Sequence, residues 1–93
     1  MKSQIKIVYC TQCKWLLRAT WMAQELLTTF SEEIDELTLV PGKGGVFEIY
    51  ANNENIWSRK TMNGFPEITT LKTKVRDVIA PNKNLGHIDR KKQ

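Results

Sequence analysis

The chain has 93 residues, 14 Lys and Arg against 10 Asp and Glu, a formal net charge of +4, and 41% hydrophobic and 26% charged residues. That length supports one domain with one core, and the ordinary globular composition excludes a wholly disordered chain. With no apolar run near the ~20 residues that span a bilayer, no signal-like N-terminal run, and only two closely spaced cysteines, membrane and secreted disulfide-scaffold classes are set aside, and a cytoplasmic protein is expected.

Ile5-Lys6-Ile7-Val8-Tyr9 reads as a first strand, and Trp15 to Phe30 as a helix. Along that helix Trp15, Leu16, Ala19, Met22, Ala23, Leu26, Leu27 and Phe30 fall in one sector at about 100° per residue, the stripe of a face packed on a sheet. Ser31-Glu32-Glu33 ends it, and a second strand, Ile34 to Val40, runs up to the breaker cluster Pro41-Gly42-Lys43-Gly44-Gly45. Val46 to Ala51 alternates, with Phe47, Ile49 and Ala51 on one face and Glu48 and Tyr50 on the other. Asn52-Asn53-Glu54 is turn material, and Asn55 to Arg59 reads as the returning strand of a hairpin. Pro66 suits the first turn of a last helix, whose stripe is Ile68, Leu71, Val75, Val78 and Ile79 and which Pro81 stops. Trp15, Trp21, Trp57 and Phe47 supply the bulk to anchor a core.

The order β-α-β-β-β-α joins a right-handed parallel crossover to an antiparallel hairpin. Such a chain makes a four-stranded mixed sheet carrying both helices. In class it is α/β with a mixed, α+β-type sheet, the minimal thioredoxin-like arrangement. The segment from Pro41 to Gly45 is too short to hold the extra helix of thioredoxin itself. Residues 1–82 form this domain. Residues 83–93 are a basic, flexible tail, in which Lys83, Arg90, Lys91 and Lys92 face only Asp89.

Cys10 and Cys13 occupy the junction of the first strand and first helix. A Cys-X-X-Cys pair at a helix start has a lowered thiol pKa, because the helix's positive end and free N–H groups favour thiolate. Lys14 and Arg18 are the expected thiolate-stabilising cations, with no carboxylate before Glu25 to oppose them. Helix-start geometry favours Cys10 as the attacking thiol. A zinc site needs four ligands, and two thiols plus the distant His87 do not supply them. His87, beyond the last helix, reads as a surface histidine in preference to a general base. Leu17 and Trp21 lie one turn apart on the side away from the stripe. Their alternatives are docking of a protein partner or self-association, against coverage by a loop, the tail or another copy. Nucleic-acid binding has only the basic balance in its favour, with no RNA-recognition motif or aromatic–basic strand pattern.

The chain resembles the selenoprotein W/T/H family, also called the Rdx family of thioredoxin-like proteins, over about residues 5 to 80. The resemblance rests on Ile7-Val8-Tyr9-Cys10-Thr11-Gln12-Cys13, on Gly45-Val46-Phe47-Glu48-Ile49 and on Asn63-Gly64-Phe65-Pro66-Glu67. It implies an oxidoreductase or redox-sensing role tied to glutathione, peroxide defence or a protein partner. Many members carry selenocysteine at the motif's second position, here Cys13, so this chain looks like a cysteine-containing, bacterial-type version. The resemblance marks Cys13 where geometry favoured Cys10, and the attacking order stays open.

The functional expectation is a thiol–disulfide oxidoreductase with Cys10 and Cys13 as catalytic residues, no tightly bound cofactor, and glutathione or a thioredoxin system as reductant. Its partners are protein thiols or disulfides. The alternative is a redox-sensing adaptor that engages a protein through Leu17 and Trp21 without turnover.

Overall fold

The computed structural model describes residues 3–86, so His87 and the basic residues Arg90, Lys91 and Lys92 lie outside the described residues. Strand β1 (Ser3–Cys10) buries Ser3, Ile5, Ile7 and Tyr9 and exposes Gln4 and Lys6, the period of a strand covered on one face. Helix α1 (Leu16–Thr29) crosses to β2 (Ile34–Gly42), which runs parallel to β1 from Ser3 opposite Ile34 to Cys10 opposite Gly42. Strand β3 (Phe47–Ala51) is antiparallel on the other side of β1, with Tyr9 opposite Phe47 and Ile7 opposite Ile49. A two-residue turn leads to β4 (Glu54–Ser58). Asn52 and Asn53 have φ of 50° and 70°, the left-handed pair that a type I′ hairpin requires and asparagine tolerates. A single helical turn, α2 (Arg59–Met62), and α3 (Ile68–Ile79) complete the chain's elements. The sheet order is β2-β1-β3-β4.

Ile5, Ile7, Tyr9, Phe47, Ile49 and Ala51 meet Ala19, Met22, Ala23, Leu26 and Phe30 from the first helical segment and Leu71 and Val75 from α3. Both long helices therefore cover the same face. Gln4, Lys6, Glu36 and Thr38 are exposed on the opposite one. An ion pair of 2.9 Å from Lys72 to Glu25 joins α3 to α1.

The expected mixed sheet carrying both helices is the one observed, with four departures in detail. Strand β2 runs through Pro41 and Gly42 instead of stopping at Val40. It is an edge strand, so the N–H that Pro41 lacks is not missed by a neighbour. Leu16, Leu27 and Trp21 are 48%, 42% and 48% exposed and do not belong to the core. At 100° per residue, Leu16 and Leu27 sit roughly 65–85° from the centre of the stripe that α1 buries, at its flanks. The one-turn α2 was not expected; Asn63 (φ 58°) and Gly64 close it, a left-handed ending of the usual kind. Finally, residues 80–86, just past α3, stay on the body: Lys83, counted with the tail, pairs with Glu33 at 3.0 Å, and Leu85 packs against the core.

Candidate functional site

Cys10 is the last residue of β1 and Cys13 lies in the turn that follows, ahead of α1. This turn is tied down at both ends. The Thr11 N–H and hydroxyl donate to the Gly42 carbonyl at 3.1 and 3.3 Å, and the Trp15 N–H reaches the Cys10 carbonyl at 3.4 Å. Lys14, at φ 60°, donates its N–H to the Thr11 carbonyl at 3.1 Å. The result is an asymmetric pair: Cys10 is 1% exposed, while Cys13 is open to solvent. Cys13 Sγ–H donates to Cys10 Sγ across 2.7 Å.

A second segment closes over the pair from β2. At Gly42 a Cβ would stand 2.7 Å from Val46 Cγ1 and 3.3 Å from Val8 Cγ1, so only glycine lets the chain fold back here. Gly44 and Gly45 then take φ of 72° and 76°, and the returning loop brings the Gly45 N–H to both sulfurs. Such convergent amides form a small anion-binding concavity.

Their effect is to divide one proton between two thiols. The Cys10 thiol is lowered from 9.0 to about 7, chiefly by the Cys13 S–H donor; burial pushes it up, and the backbone N–H groups of Gly45, Cys13 and Gln12 each add a lesser lowering. Cys13 is raised, first because its proton is held in that same bond, then by burial and by the charge on Cys10; the Gly45 N–H and the Arg59 charge oppose this. The pair titrates as a unit, its first ionisation favouring the covered sulfur while the exposed sulfur keeps its proton.

This corrects the source of stabilisation expected from sequence. Helix α1 begins at Leu16 with Trp15 at its cap, so both cysteines precede its first turn and the donors are turn and loop amides. Lys14 and Arg18 are not among the leading groups that shift either thiol. The Arg18 guanidinium lies 4.0 Å over the Phe65 ring. Arg59 takes the electrostatic role: its Nη1 donates to the Gly45 carbonyl at 3.4 Å and its guanidinium lies 5.0 Å over Trp15. Trp15, Phe47 and Phe65 pack edge to face, with centroids 6.3, 4.9 and 5.1 Å apart, as a floor beside the site. The Trp57 Nε1–H donates to the Gly64 carbonyl at 2.9 Å and holds the loop that carries Phe65.

Gly45 and Arg59 were not singled out as site residues in the sequence. Gly45 belonged to a breaker run and opened one of the motifs of the family resemblance, and Arg59 belonged to the end of a strand. Leu17 is 84% exposed and Trp21 is half-exposed on the outer face of α1, the side on which the helical spacing placed both, so Trp21 does not supply the core bulk also expected of it. Among the described residues no group of three or more His, Cys, Asp or Glu side chains gathers as a metal site. No helix among them is long and apolar enough to cross a membrane.

A four-stranded mixed sheet with both long helices on one face, and a Cys-X-X-Cys turn between its first strand and first helix, defines a thioredoxin-like protein. The chain belongs to the Rdx family, whose profile matches residues 4–77. It is similar to the crystal structure of a selenoprotein W-related protein from Vibrio cholerae, at 55% identity and a TM-score of 0.82, over 84% of this chain and 98% of that one. A crystal structure from Bordetella parapertussis matches at 56% identity and a TM-score of 0.81, over 83% of this chain and 98% of that one. No protein of curated function matches.

Proposed function

We propose that the protein is a small thiol–disulfide oxidoreductase in which Cys13 enters and Cys10 resolves, working in the reducing cytoplasm. The observation that carries this is the 2.7 Å approach of an exposed sulfur to a covered one. A bulky disulfide reaches only the exposed one.

As Cys13 Sγ attacks one sulfur of a disulfide R–S–S–R′, its proton passes to Cys10, a Cys13–S–S–R bond forms and R′S⁻ leaves. Cys10 returns the proton to R′S⁻ and becomes thiolate again. It keeps the N–H groups of Gly45, Cys13 and Gln12 for that charge. Cys10 Sγ then attacks Cys13 Sγ, the Cys10–Cys13 bond closes and RS⁻ is released. Two electrons have moved to the target, and two glutathione thiols or a thioredoxin dithiol restore the pair.

Oxidised glutathione tests the order of attack. Cys10→Ser should retain one glutathionyl group on Cys13 by mass spectrometry, and Cys13→Ser should retain none. The reverse pattern would assign entry to Cys10, and a native pair that never closes its disulfide in glutathione buffers would remove the oxidoreductase reading. The exposed Leu17 and Trp21 favour a second reading, a redox-sensing adaptor without turnover. In that case Trp21→Ala abolishes partner capture while Cys10→Ser leaves it intact.

A further inference from the structure

Three segments of chain surround the sulfurs, and all three are free of carboxylates. Residues 10–24, 41–47 and 57–66 contain no Asp or Glu, yet they contain Lys14, Arg18, Lys43, Arg59 and Lys60. The structure connects them physically. Lys14 adjoins Cys13, and Lys43 sits on the loop whose Gly45 N–H meets both sulfurs. Arg59 bonds that loop, and Arg18 caps Phe65. Lys60 lines, with Arg59, Asn63, Gly64 and Phe65, an open depression of about 450 Å³ beside the aromatic floor. The ion pairs Lys72–Glu25, Arg76–Asp77 and Lys83–Glu33 leave all five cations out.

Carboxylates gather instead at the far end. Glu32, Glu33 and Asp35 flank the start of β2, which the register sets beside the start of β1, whereas Cys10 pairs with Gly42 at the other end. Seven residue steps of strand separate the two ends by about 23 Å. The strand-end carboxylates thus stand opposite the reactive thiols, and the nearest strand carboxylate to them is Glu48, opposite Val8 on the face of the sheet that the helices leave bare.

Resting on the oxidoreductase reading, we propose that this cationic rim selects as redox partner a protein whose target cystine lies in a carboxylate-rich segment. A rim spread over three segments and bordered by the exposed Leu16 and Leu17 suits an extended polypeptide better than a small anion. A nucleic acid offers the phosphates but no sulfur for Cys13. Unpaired charge of one sign around a reactive centre raises the encounter rate with opposite charge and suppresses encounters with like charge.

The test uses reduced full-length protein and three peptide disulfides, alike except for flanking glutamates, lysines or serines. At low ionic strength the glutamate peptide should react about tenfold or more faster than the lysine peptide, the low end of electrostatic steering. The gap should narrow as salt shortens the screening length. In a Lys43→Glu/Lys60→Glu double variant, at two exposed positions, the preference should vanish while the serine peptide reacts at the native rate. Equal rates for the acidic and basic peptides on the native protein would overturn the inference, as would a preference untouched by salt and by the double variant. Oxidised glutathione outpacing the glutamate peptide would overturn the assignment to a protein segment. If the serine peptide fails to react, the exchange reading itself fails. The rim is then judged by titrating a Cys-to-Ser acidic peptide against the backbone amide signals of Lys43 and Lys60. No shift, or equal shifts with an oligonucleotide, would overturn it.

Discussion

Cys13→Ala removes the donor that contributes most to the Cys10 thiolate while leaving the backbone amides in place. With Cys10 lowered from 9.0 to about 7, roughly half of the reduced native molecules carry a thiolate at pH 7, against about 1% for an unperturbed thiol at 9.0. Without the Cys13 S–H, only the N–H groups of Gly45, Cys13 and Gln12 remain to oppose burial, so the midpoint should climb from about 7 towards 9.0. At pH 7 the thiolate fraction should then fall from about one half to a small minority. Cys10 is almost fully covered, so alkylation would report access as much as ionisation. The assay is therefore the Cβ chemical shift of Cys10 followed against pH, with thiolate ultraviolet absorbance as an independent readout. A Cys13→Ser variant, whose hydroxyl can still donate, should lie between the two. If the midpoint stays near 7 in Cys13→Ala, the shared proton is not what lowers Cys10 and the reasoning fails. A native midpoint near 9.0 would dispose of it as well.

The same titration makes stability depend on pH. Because the folded Cys10 pKa lies below its unfolded value, its contribution is full above 9.0 and is lost as pH falls towards about 7. Cys13 is raised, so its contribution is lost as pH climbs past 9.0; denaturant midpoints of the reduced protein should rise from pH 7 to about 9 and then decline, and Cys10→Ala should flatten the rise. Gly45→Ala meets nothing nearer than Arg59 Nη1 at 3.9 Å, so its cost is the left-handed backbone, about 1–2 kcal/mol by denaturation, together with an upward move of the Cys10 midpoint. Leu26→Ala, at a fully covered position under the sheet, should lower unfolding free energy by about 2–5 kcal/mol. Leu17→Ala, at an exposed position, should change it by no more than about 0.5 kcal/mol.

The local patterns were the legible part. A period of two in Ser3–Cys10 and Phe47–Ala51, a helical stripe through Ala19, Met22, Ala23 and Leu26, and the paired asparagines at 52 and 53 each determine an element from neighbouring residues alone. These elements in this order leave few ways to build the sheet. Pro41 misled because a breaker is judged by the hydrogen bonds it forfeits, and at an outer strand the forfeited bond has no claimant. The cysteine pair was equally plain, since its chemistry lies in its own spacing. Its surroundings were not: Gly45 meets the sulfurs only because Gly42 lets the chain double back, and Arg59 arrives on a one-turn helix too short to show a periodicity. Such approaches depend on tertiary closure, which no window of sequence contains. Arg18 shows the converse, a neighbour in sequence drawn away by the ring of Phe65.

The outer margin of β2 bears on how copies of this molecule meet one another. A bare strand margin is a template for another chain's backbone, and it is blunted by proline and by hydrated charges. β2 has Asp35 and Glu36 near its beginning and Pro41 near its end, so a strand laid along it would strip water from carboxylates at one extremity and find no amide donor at the other. Lateral growth into a continuous ribbon is thereby discouraged at the long free side of the molecule. Encounters through loops and side chains are left as the favoured mode of contact, and that is the end of the molecule at which the two sulfurs stand.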